Sequence, residues 1–258
     1  MQFLTKLFGH GDTAKPVVFS TAARPTVLYA MGDIHGCLDE LLSLEDKIVA
    51  DAAALEGQKW LVYLGDYVDR GPKSAQVLDH LVGPPPKGFQ RICLRGNHDT
   101  MMLACFTAPR SFVRWLELGG YATLASYGVS AQQVEGVLAR GRARDRVELL
   151  TAVVPDAHIR FLADLFSMAQ VPGYIFVHAG LRPRVPIAKQ REDDLIGIRD
   201  EFLQSDFDFG ATVVHGHSIV HIVGQAARKI GIDTGCSHTG VLTAMRLNED
   251  GSTAFLHN

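Results

Sequence analysis

Short apolar runs alternate with segments of helical periodicity in the first part of the chain. The apolar runs occupy residues 27–31, 60–64 and 91–94, and a glycine-containing polar loop follows each of them. Apolar residues then recur at three- and four-residue spacing between Leu38 and Val49, and helices are also predicted at residues 74–81 and 100–106. Three strand–loop–helix units in succession predict βαβ construction with at least partly parallel strands.

The segment from residue 107 to residue 170 has a different pattern. Its apolar residues recur at helical spacing, as in Phe112, Trp115 and Leu116. We therefore predict a helical cap inserted into the domain over residues 107–170. Two interpretations of its basic run remain open, a solvated face or a contact for an anionic substrate. The run consists of Arg140, Arg142, Arg144 and Arg146.

Strand-like runs return in the last third of the chain, at residues 174–177, 212–214, 219–223, 229–232, 241–247 and 253–256. The last four are short and closely spaced, which favours antiparallel pairing. The predicted fold class is α/β, with two packed mixed β-sheets flanked by helices and a helical cap. We assign residues 1–25 to an N-terminal arm and residues 26–258 to a single domain.

Composition and charge exclude several classes of protein. The chain has 258 residues, 47% of them hydrophobic and 21% charged, so it is not mostly disordered. A net charge of −3 disfavours a general binder of nucleic-acid polymers. No apolar run approaches the ~20 residues of a membrane span, and the N-terminus does not resemble a secretory signal, so we expect a cytoplasmic location. The four cysteines form no C-x-x-C pair, which disfavours a zinc ribbon.

Candidate chemistry lies in the loops after the predicted strands. Five of these loops carry Asp, Asn or His beside glycine: GDIHG (32–36), GDYVDRG (65–71), RGNHD (95–99), VHAG (177–180) and VHGH (214–217). Imidazole and carboxylate together suit Mn, Fe or Zn. A carboxylate has two oxygens that can bridge two metal ions, and such ions clamp the attacking and leaving oxygens of an in-line displacement. The set therefore indicates a two-metal hydrolase.

The ordered motifs GDIHG, GDYVDRG, GNHD, HAG and GH resemble the phosphoprotein phosphatase family of calcineurin-like metallophosphoesterases. The resemblance spans residues 32–217 and extends to the turn at residues 232–235. It is closer to the bacterial and phage branch, because HAG stands where eukaryotic members usually have HGG and the SAPNY segment is absent. The resemblance implies the calcineurin-like metallophosphoesterase sandwich and two divalent metal ions, Mn by preference, with Fe or Zn as alternatives.

The resemblance also implies a set of metal ligands. Asp33, His35 and His217 are expected at the first metal, Asp66 as the bridging carboxylate, and Asn97 and His178 at the second metal. A further histidine usually joins the second metal in the family, and here it is His215 or His217. We favour His217 for the first metal. His215 then either supports a ligand or fills the end of a strand.

The catalytic roles are likewise implied by the resemblance. His98 is expected to be the general acid that protonates the leaving oxygen, and Asp69 to orient its imidazole. Phosphate oxygens would be held by Arg70, with Asn97 beside the substrate phosphate. Arg199 is a second candidate for this role, although a Trp is common in the family where Gly197 stands here. Arg199 is otherwise a surface residue.

Together these residues predict a dinuclear-metal-dependent phosphomonoesterase. We expect a serine/threonine protein phosphatase, extending to dual specificity, that uses in-line attack of metal-bound hydroxide. The alternative is a bis(5'-nucleosyl)-tetraphosphatase or a related dinucleoside polyphosphate hydrolase, because the same motifs serve both. The intact GDYVDRG motif favours the phosphatase branch. A catalytically silent binding protein is disfavoured, because every expected ligand is present. The expected partner is a phosphoprotein or phosphate-ester substrate, and the oligomeric state is left open.

Overall fold

The computed structural model describes residues 15–220, 224–226 and 228–258. Their strands are β1 (Val18–Ser20), β2 (Val27–Met31), β3 (Lys59–Tyr63), β4 (Phe89–Cys93), β5 (Met168–Val171), β6 (Tyr174–Val177), β7 (Thr212–His215), β8 (Gly224–Ala226), β9 (Lys229–Gly231), β10 (Thr243–Asn248) and β11 (Thr253–His257). The strands form two sheets. Sheet I has the order β11-β10-β2-β3-β4, and sheet II has the order β1-β5-β6-β7-β9-β8.

The helices of the described residues are α1 (Leu38–Asp51), α2 (Ser74–Val82), α3 (Asn97–Thr107), α4 (Ser111–Trp115), α5 (Tyr121–Ser126), α6 (Ala131–Arg140), α7 (Ala143–Val153), α8 (Asp156–Ala163), α9 (Glu192–Gly197), α10 (Asp200–Leu203) and α11 (Cys236–Thr239). A π-helical turn at Leu116–Gly120 joins α4 to α5, and a 3₁₀ turn lies at Ile187–Lys189. None of the helices described is long and apolar enough to cross a membrane.

The two sheets pack face to face across one apolar layer, and a further apolar layer lies between each sheet and the helices outside it. Strand β2 is buried on both faces because its side chains alternate between two of these layers. Leu28 and Ala30 face sheet II, where they join Phe176 and Val214. Tyr29 lies in the layer beneath the helices, on the opposite face of sheet I. A third layer, between sheet II and the helices α9 and α10, completes the sandwich. The predicted α/β architecture with two mixed sheets is confirmed.

The βαβ prediction is confirmed in sheet I. Strand β2 pairs in parallel with β3, and β3 pairs in parallel with β4. Helix α1 follows β2, and α2 follows β3, as the periodicity predicts. Glu45, the polar residue within the apolar face of α1, is buried, where it accepts a hydrogen bond from the hydroxyl of Tyr63 and contacts Nε2 of His80 at 2.8 Å.

The predicted insertion over residues 107–170 overlaps a strand at its end. Helices α4 to α8 occupy Ser111–Ala163, and β5 follows at Met168–Val171, paired with β1 and β6. The boundary at residue 170 is therefore wrong. These helices pack into the core of the domain. Trp115 and Leu124 are fully buried in the same apolar layer as Ile34, in the loop after β2, and Leu41 of α1.

The predicted arm of residues 1–25 includes a sheet strand. Val18–Ser20 form β1, which pairs in parallel with β5. Phe19 packs edge-on against Trp60 and Phe166, and this apolar contact fixes the strand. The assignment of residues 18–20 to an arm is therefore wrong, whereas residues 1–14 lie outside the described residues.

The late strands divide between the two sheets. The pairs β8–β9 and β10–β11 are antiparallel, as expected, but β9 also pairs in parallel with β7. The strand predicted at residues 219–223 is not seen at Ile219 and Val220, and its remaining residues lie outside the described part of the chain. The observed strand β8 begins at Gly224 instead.

Candidate metal centre

The polar residues singled out in the sequence converge at the ends of strands from both sheets. The six expected metal ligands follow strands directly: Asp33 and His35 after β2, Asp66 after β3, Asn97 after β4, His178 after β6, and His217 after β7. Parallel strands end on the same edge of a sheet, so the loops of each sheet lie side by side. Contacts between His178 and Asp66 and between His217 and Asp33 join the loops of sheet II to those of sheet I.

Backbone strain is concentrated in the same loops. Among the described residues other than glycine, seven have a positive φ, and five of these belong to the site: His35 (48°), Asp66 (54°), Asp69 (73°), Arg70 (67°) and His217 (61°). Such left-handed conformations cost about 1–3 kcal/mol each and persist where the surrounding structure enforces them, commonly at active sites. The strain therefore marks this region as functional without reference to any motif.

One carboxylate oxygen of Asp66 lies between two imidazoles. Its Oδ2 is 3.4 Å from Nε2 of His35 and 3.5 Å from Nε2 of His178. The other oxygen, Oδ1, accepts a hydrogen bond from the backbone N–H of His98 at 2.9 Å, which fixes the orientation of the carboxylate. This is the geometry that a bridging carboxylate requires.

Both imidazoles direct an unprotonated nitrogen toward that oxygen. Nδ1 of His35 donates to the carbonyl of Val68 at 2.7 Å, and Nδ1 of His178 donates to the carbonyl of Leu64 at 3.0 Å. Burial holds the pKa of both imidazoles well below the usual value, so each ring is neutral and its Nε2 carries a lone pair. Each of these nitrogens is therefore suited to bind a divalent cation beside the carboxylate of Asp66.

His217 and Asn97 complete the group around His178. The rings of His217 and His178 are 5.0 Å apart between centroids, and Nε2 of His217 is buried without a hydrogen-bond partner among the described residues. Oδ1 of Asn97 lies 3.0 Å from Nε2 of His178. Asp66, His178 and His217 offer ligand atoms that all lie within 4.8 Å of one another. A cation bound there would give the orphaned nitrogen of His217 a partner.

His217 contacts residues expected at both metals. We placed it at the first metal with Asp33 and His35, and its backbone N–H does donate to both carboxylate oxygens of Asp33, at 3.1 and 3.2 Å. Its imidazole, however, groups with Asp66 and His178. The assignment of His217 to the first metal therefore stays a prediction, since its backbone contacts Asp33 and its imidazole lies near Asp66 and His178.

The buried carboxylates of the centre carry raised pKa values. Burial raises the pKa of Asp33 well above its usual value, and the charges of Asp233 and Asp66 add to the effect. Burial raises the pKa of Asp66 to about 7. The ionised forms of neighbouring carboxylates are unfavourable in a dry site, and a bound divalent cation reverses this effect.

A hydrogen-bond chain orients His98. Its Nδ1 lies 2.7 Å from Oδ2 of Asp69, so Nε2 faces the centre. Asp69 is fully buried and accepts two further hydrogen bonds, from Nε1 of Trp115 at 2.9 Å and from Oγ1 of Thr123 at 2.7 Å. Asp69 thus lies where the sequence placed it. Trp115 and Thr123 were not recognised as site residues, because they belong to the helical segment and their spacing indicates only core.

Arg70 lies at the mouth of the centre. Its Nη1 donates to Nε2 of His35, and its Nη2 donates to Nε2 of His98, both at 2.9 Å. Two nitrogens of one planar guanidinium therefore contact two site histidines at once. The same fork matches two oxygens of a phosphate group.

Arg199 and His215 lie beside the centre in different ways. Arg199 is exposed, and its Nη1 donates to Oγ of Ser218, the residue after His217, at 3.4 Å. The charge of Arg199 lowers the pKa of His217, after the larger effect of burial. His215 is buried edge-on against Phe202, 5.2 Å between ring centroids, and it belongs to neither ligand group. Both expected roles of His215, supporting a ligand or filling the end of β7, stay predictions.

Asp99 fastens two of the loops together. Its carboxylate accepts hydrogen bonds from the backbone N–H groups of Asp66 at 2.8 Å, Tyr67 at 2.9 Å and Gly96 at 2.9 Å. The loops also approach closely at Gly96, where an added Cβ would lie 2.1 Å from Oδ1 of Asp66. Only glycine permits this approach. Asp99 therefore both caps α3, through the N–H of Gly96, and ties the loop after β3 to the loop after β4.

Comparison with known proteins identifies the family. The sequence profile of the calcineurin-like phosphoesterase family matches residues 26–250. The chain belongs to this family. It is therefore a hydrolase with a phosphoesterase fold, and the family resemblance expected from the motifs is confirmed at this level.

Two curated relatives of this phosphoesterase are named as bis(5'-nucleosyl)-tetraphosphatases. A symmetrical bis(5'-nucleosyl)-tetraphosphatase of Nitrosococcus oceani is 35% identical over 161 residues, which cover 62% of the chain and only 46% of the relative. The asymmetrical bis(5'-nucleosyl)-tetraphosphatase PrpE of Halalkalibacterium halodurans is 27% identical over 246 residues, covering 85% of the chain and 89% of the relative. The narrower expectation, the protein phosphatase branch, is not confirmed.

A solved structure shares the fold. A protein provisionally named as a diadenosine tetraphosphatase superimposes with a TM-score of 0.64 at 21% identity, covering 94% of this phosphoesterase and 98% of that chain. At this identity the likeness concerns the fold alone. It agrees with the two-sheet sandwich described above.

Proposed function

We propose that this phosphoesterase hydrolyses dinucleoside polyphosphates of the diadenosine tetraphosphate class. The observation that carries the hydrolytic part is the Oδ2 atom of Asp66, shared between the Nε2 atoms of His35 and His178. The names of the two curated relatives support the substrate class. Our first expectation, a protein phosphatase, rested on the intact GDYVDRG motif, and the relatives favour the alternative.

The ligand set divides into two groups that share Asp66. His35 lies on one side with His98 nearby, and His178 and His217 lie on the other, with Asn97 within 3.0 Å of His178. Asp33 would join the centre through the carboxylate to which the backbone of His217 is bonded. Two divalent ions bound there would supply an activated water and neutralise phosphate charge, and we propose Mn by preference, with Fe or Zn as alternatives.

The chain's own groups bind the phosphate and move the proton. Arg70 exchanges its two imidazole acceptors for phosphate oxygens when substrate binds, and Arg199 and Asn97 add further contacts from the rim. That exchange frees Nε2 of His98, which takes up a proton from solvent and then donates it to the leaving oxygen. Asp69 holds the opposite nitrogen of the ring and stabilises the imidazolium form. These fixed groups lie where charge develops in the transition state.

The test compares two substrate classes on one preparation. The full chain is stripped of metal with a chelator, reloaded with Mn, Fe, Zn or Mg in turn, and assayed for kcat/KM on diadenosine tetraphosphate and on a phosphoserine peptide. We expect hydrolysis of the dinucleotide to exceed that of the peptide by at least about tenfold, which corresponds to about 1.4 kcal/mol of transition-state binding. The products, two ADP or ATP with AMP, give the cleavage mode.

The Asp66→Asn variant, prepared identically, controls for contaminating phosphatases. A preference for the phosphopeptide would overturn the proposed substrate class in favour of our first expectation. Absence of hydrolysis of either substrate with every metal would overturn the two-metal proposal itself.

A further inference from the structure

Two of the chain's cysteines meet a carboxylate beside the candidate metal centre. The Sγ atoms of Cys37 and Cys236 and a carboxylate oxygen of Glu40 all lie within 4.8 Å of one another. Cys37 and Cys236 are buried, and the thiol of Cys37 donates to the carbonyl of His35 at 3.5 Å. Cys37 precedes α1 and Glu40 lies in its first turn, whereas Cys236 begins α11, about 200 residues later in the chain. Tertiary structure therefore assembles the cluster.

The cluster has the composition and spacing of a thiolate metal site. Tetrahedral zinc with bonds of about 2.3 Å to sulfur places neighbouring ligand atoms ~3.8 Å apart, within the observed span. Sulfur ligands select soft or borderline cations such as Zn²⁺, and Glu is an accepted third ligand. The carboxylate of Glu40 makes no hydrogen bond or ion pair within the described part of the chain, so it is available to a cation.

The cluster is accessible to an ion from solvent. It lines a cavity of about 250 Å³ that is also bordered by Arg70 and Lys73. The two basic side chains are directed elsewhere: Lys73 pairs with Asp39 at 2.7 Å, and Arg70 donates to the site histidines. An entry path is one of the features that a metal site requires.

We propose that Cys37, Glu40 and Cys236 bind one thiophilic divalent cation, Zn²⁺ by preference, separately from the centre at Asp66. The bound cation would link the loop after β2, which carries His35, to the loop after β9, which leads into α11. It would thereby fasten strand ends that carry site residues. Neither Cys93 nor Cys105 belongs to a group of possible metal ligands among the described residues.

Cobalt distinguishes this site from the dinuclear centre. The expected ligands of that centre are nitrogen and oxygen atoms, so a thiolate-to-Co²⁺ charge-transfer band reports only the cysteine cluster. We expect the reduced, metal-stripped full chain to show this band on titration with Co²⁺ and to saturate it within three equivalents, one for the cysteine cluster and two for the centre at Asp66. Zn²⁺ should bleach the band and protect Cys37 and Cys236, but not Cys93, from alkylation mapped by mass spectrometry.

Variants assign the ligands. Cys236→Ala should abolish the band, whereas the matched Cys93→Ala variant should keep it. Glu40→Gln should weaken the cobalt affinity by about tenfold or more, since even the loss of an outer partner of a metal site has an effect of that size. Circular dichroism of each variant establishes that it is folded, and the wild-type spectrum alone can refute the proposal.

Two results would overturn it. The first is the absence of a charge-transfer band in the reduced wild-type chain. The second is a band that survives Cys236→Ala. Neither result depends on hydrolysis of any substrate, so a failure here is distinguishable from a failure of the proposed function.

Discussion

Trp115→Phe tests whether the helical segment takes part in catalysis. The indole N–H donates to the carboxylate of Asp69, 2.9 Å from Oδ1 and 3.0 Å from Oδ2, and Asp69 in turn holds Nδ1 of His98 at 2.7 Å. The variant removes this donor and leaves Thr123 and His98 as side-chain donors to the carboxylate. The predicted defect lies in the orientation of His98, which is the group proposed to protonate the leaving oxygen.

The magnitude follows from the kind of hydrogen bond. A hydrogen bond to a buried charged group contributes about 1.5–3 kcal/mol. If that amount were lost entirely from the transition state, the rate would fall about ten- to 150-fold, at about 1.4 kcal/mol per factor of ten. The loss depends on the leaving group, because a weakly basic leaving oxygen needs little protonation.

The assay compares phenyl phosphate with 4-nitrophenyl phosphate, which differ chiefly in the basicity of the leaving oxygen. We expect Trp115→Phe to lower kcat/KM for phenyl phosphate by up to about 150-fold, from the bond energy above, and to lower that for the nitrophenyl ester much less. Trp60→Phe is the matched control. Trp60 is the only other tryptophan of the chain, and it packs between the sheets, edge-on to Phe19.

The control removes the same volume of ring, so the difference between the variants reports the indole N–H. Each variant also keeps a single tryptophan, whose fluorescence follows unfolding. Equal losses for the two esters would refute the reasoning. So would equal effects of Trp115→Phe and Trp60→Phe on turnover.

Three further predictions concern the centre and its loops. His178→Ala should lose bound metal and activity together, whereas His215→Ala should keep the metal, as measured by metal content per chain; retention of metal by the first variant contradicts the ligand assignment. Gly96→Ala should prevent the loops from packing, because the new Cβ would lie 2.1 Å from a carboxylate oxygen of the aspartate after β3. Its control, Gly136→Ala, has open space in α6 and should raise the free energy of unfolding by about 0.5–1 kcal/mol in denaturant titration. Arg70→Lys should raise KM for phosphate substrates by about tenfold or more, since one charge-assisted hydrogen bond is lost, and an unchanged KM would exclude Arg70 from substrate binding.

The strand-end loops were predictable because their signals are local. A glycine and an Asp or His directly after an apolar run identify both the strand and the polar residue at its end, so Asp66 and His178 could be placed from the sequence. The close approach of the loops is a further consequence of parallel pairing, which the strand–loop–helix order already indicates.

Other features depend on contacts that are distant in the sequence. Trp115 and Thr123 reach Asp69 across about 50 residues, and each has the spacing of an ordinary core position. The ring of His217 lies 5.0 Å from that of His178, which is about 40 residues away in the chain, and no periodicity predicts this contact. Strand β1 is only three residues long and acquires its partner, β5, from the middle of the chain. These features depend on contacts between residues far apart in the chain, and a local sequence pattern does not predict such contacts.

The left-handed backbone at five site residues has a consequence for laboratory evolution. Replacing any of them with glycine would relieve about 1–3 kcal/mol of strain, the cost of holding an L-residue there. At Asp66 or His217 the same change would delete a proposed metal ligand. Selection for thermal stability alone should therefore enrich glycine at these positions and yield proteins that are more stable but inactive. Selection that also demands turnover should leave them untouched and improve the helices instead. Comparing the variants from selection for stability alone with those from selection for stability and activity would show which loop residues catalysis requires at a cost in stability.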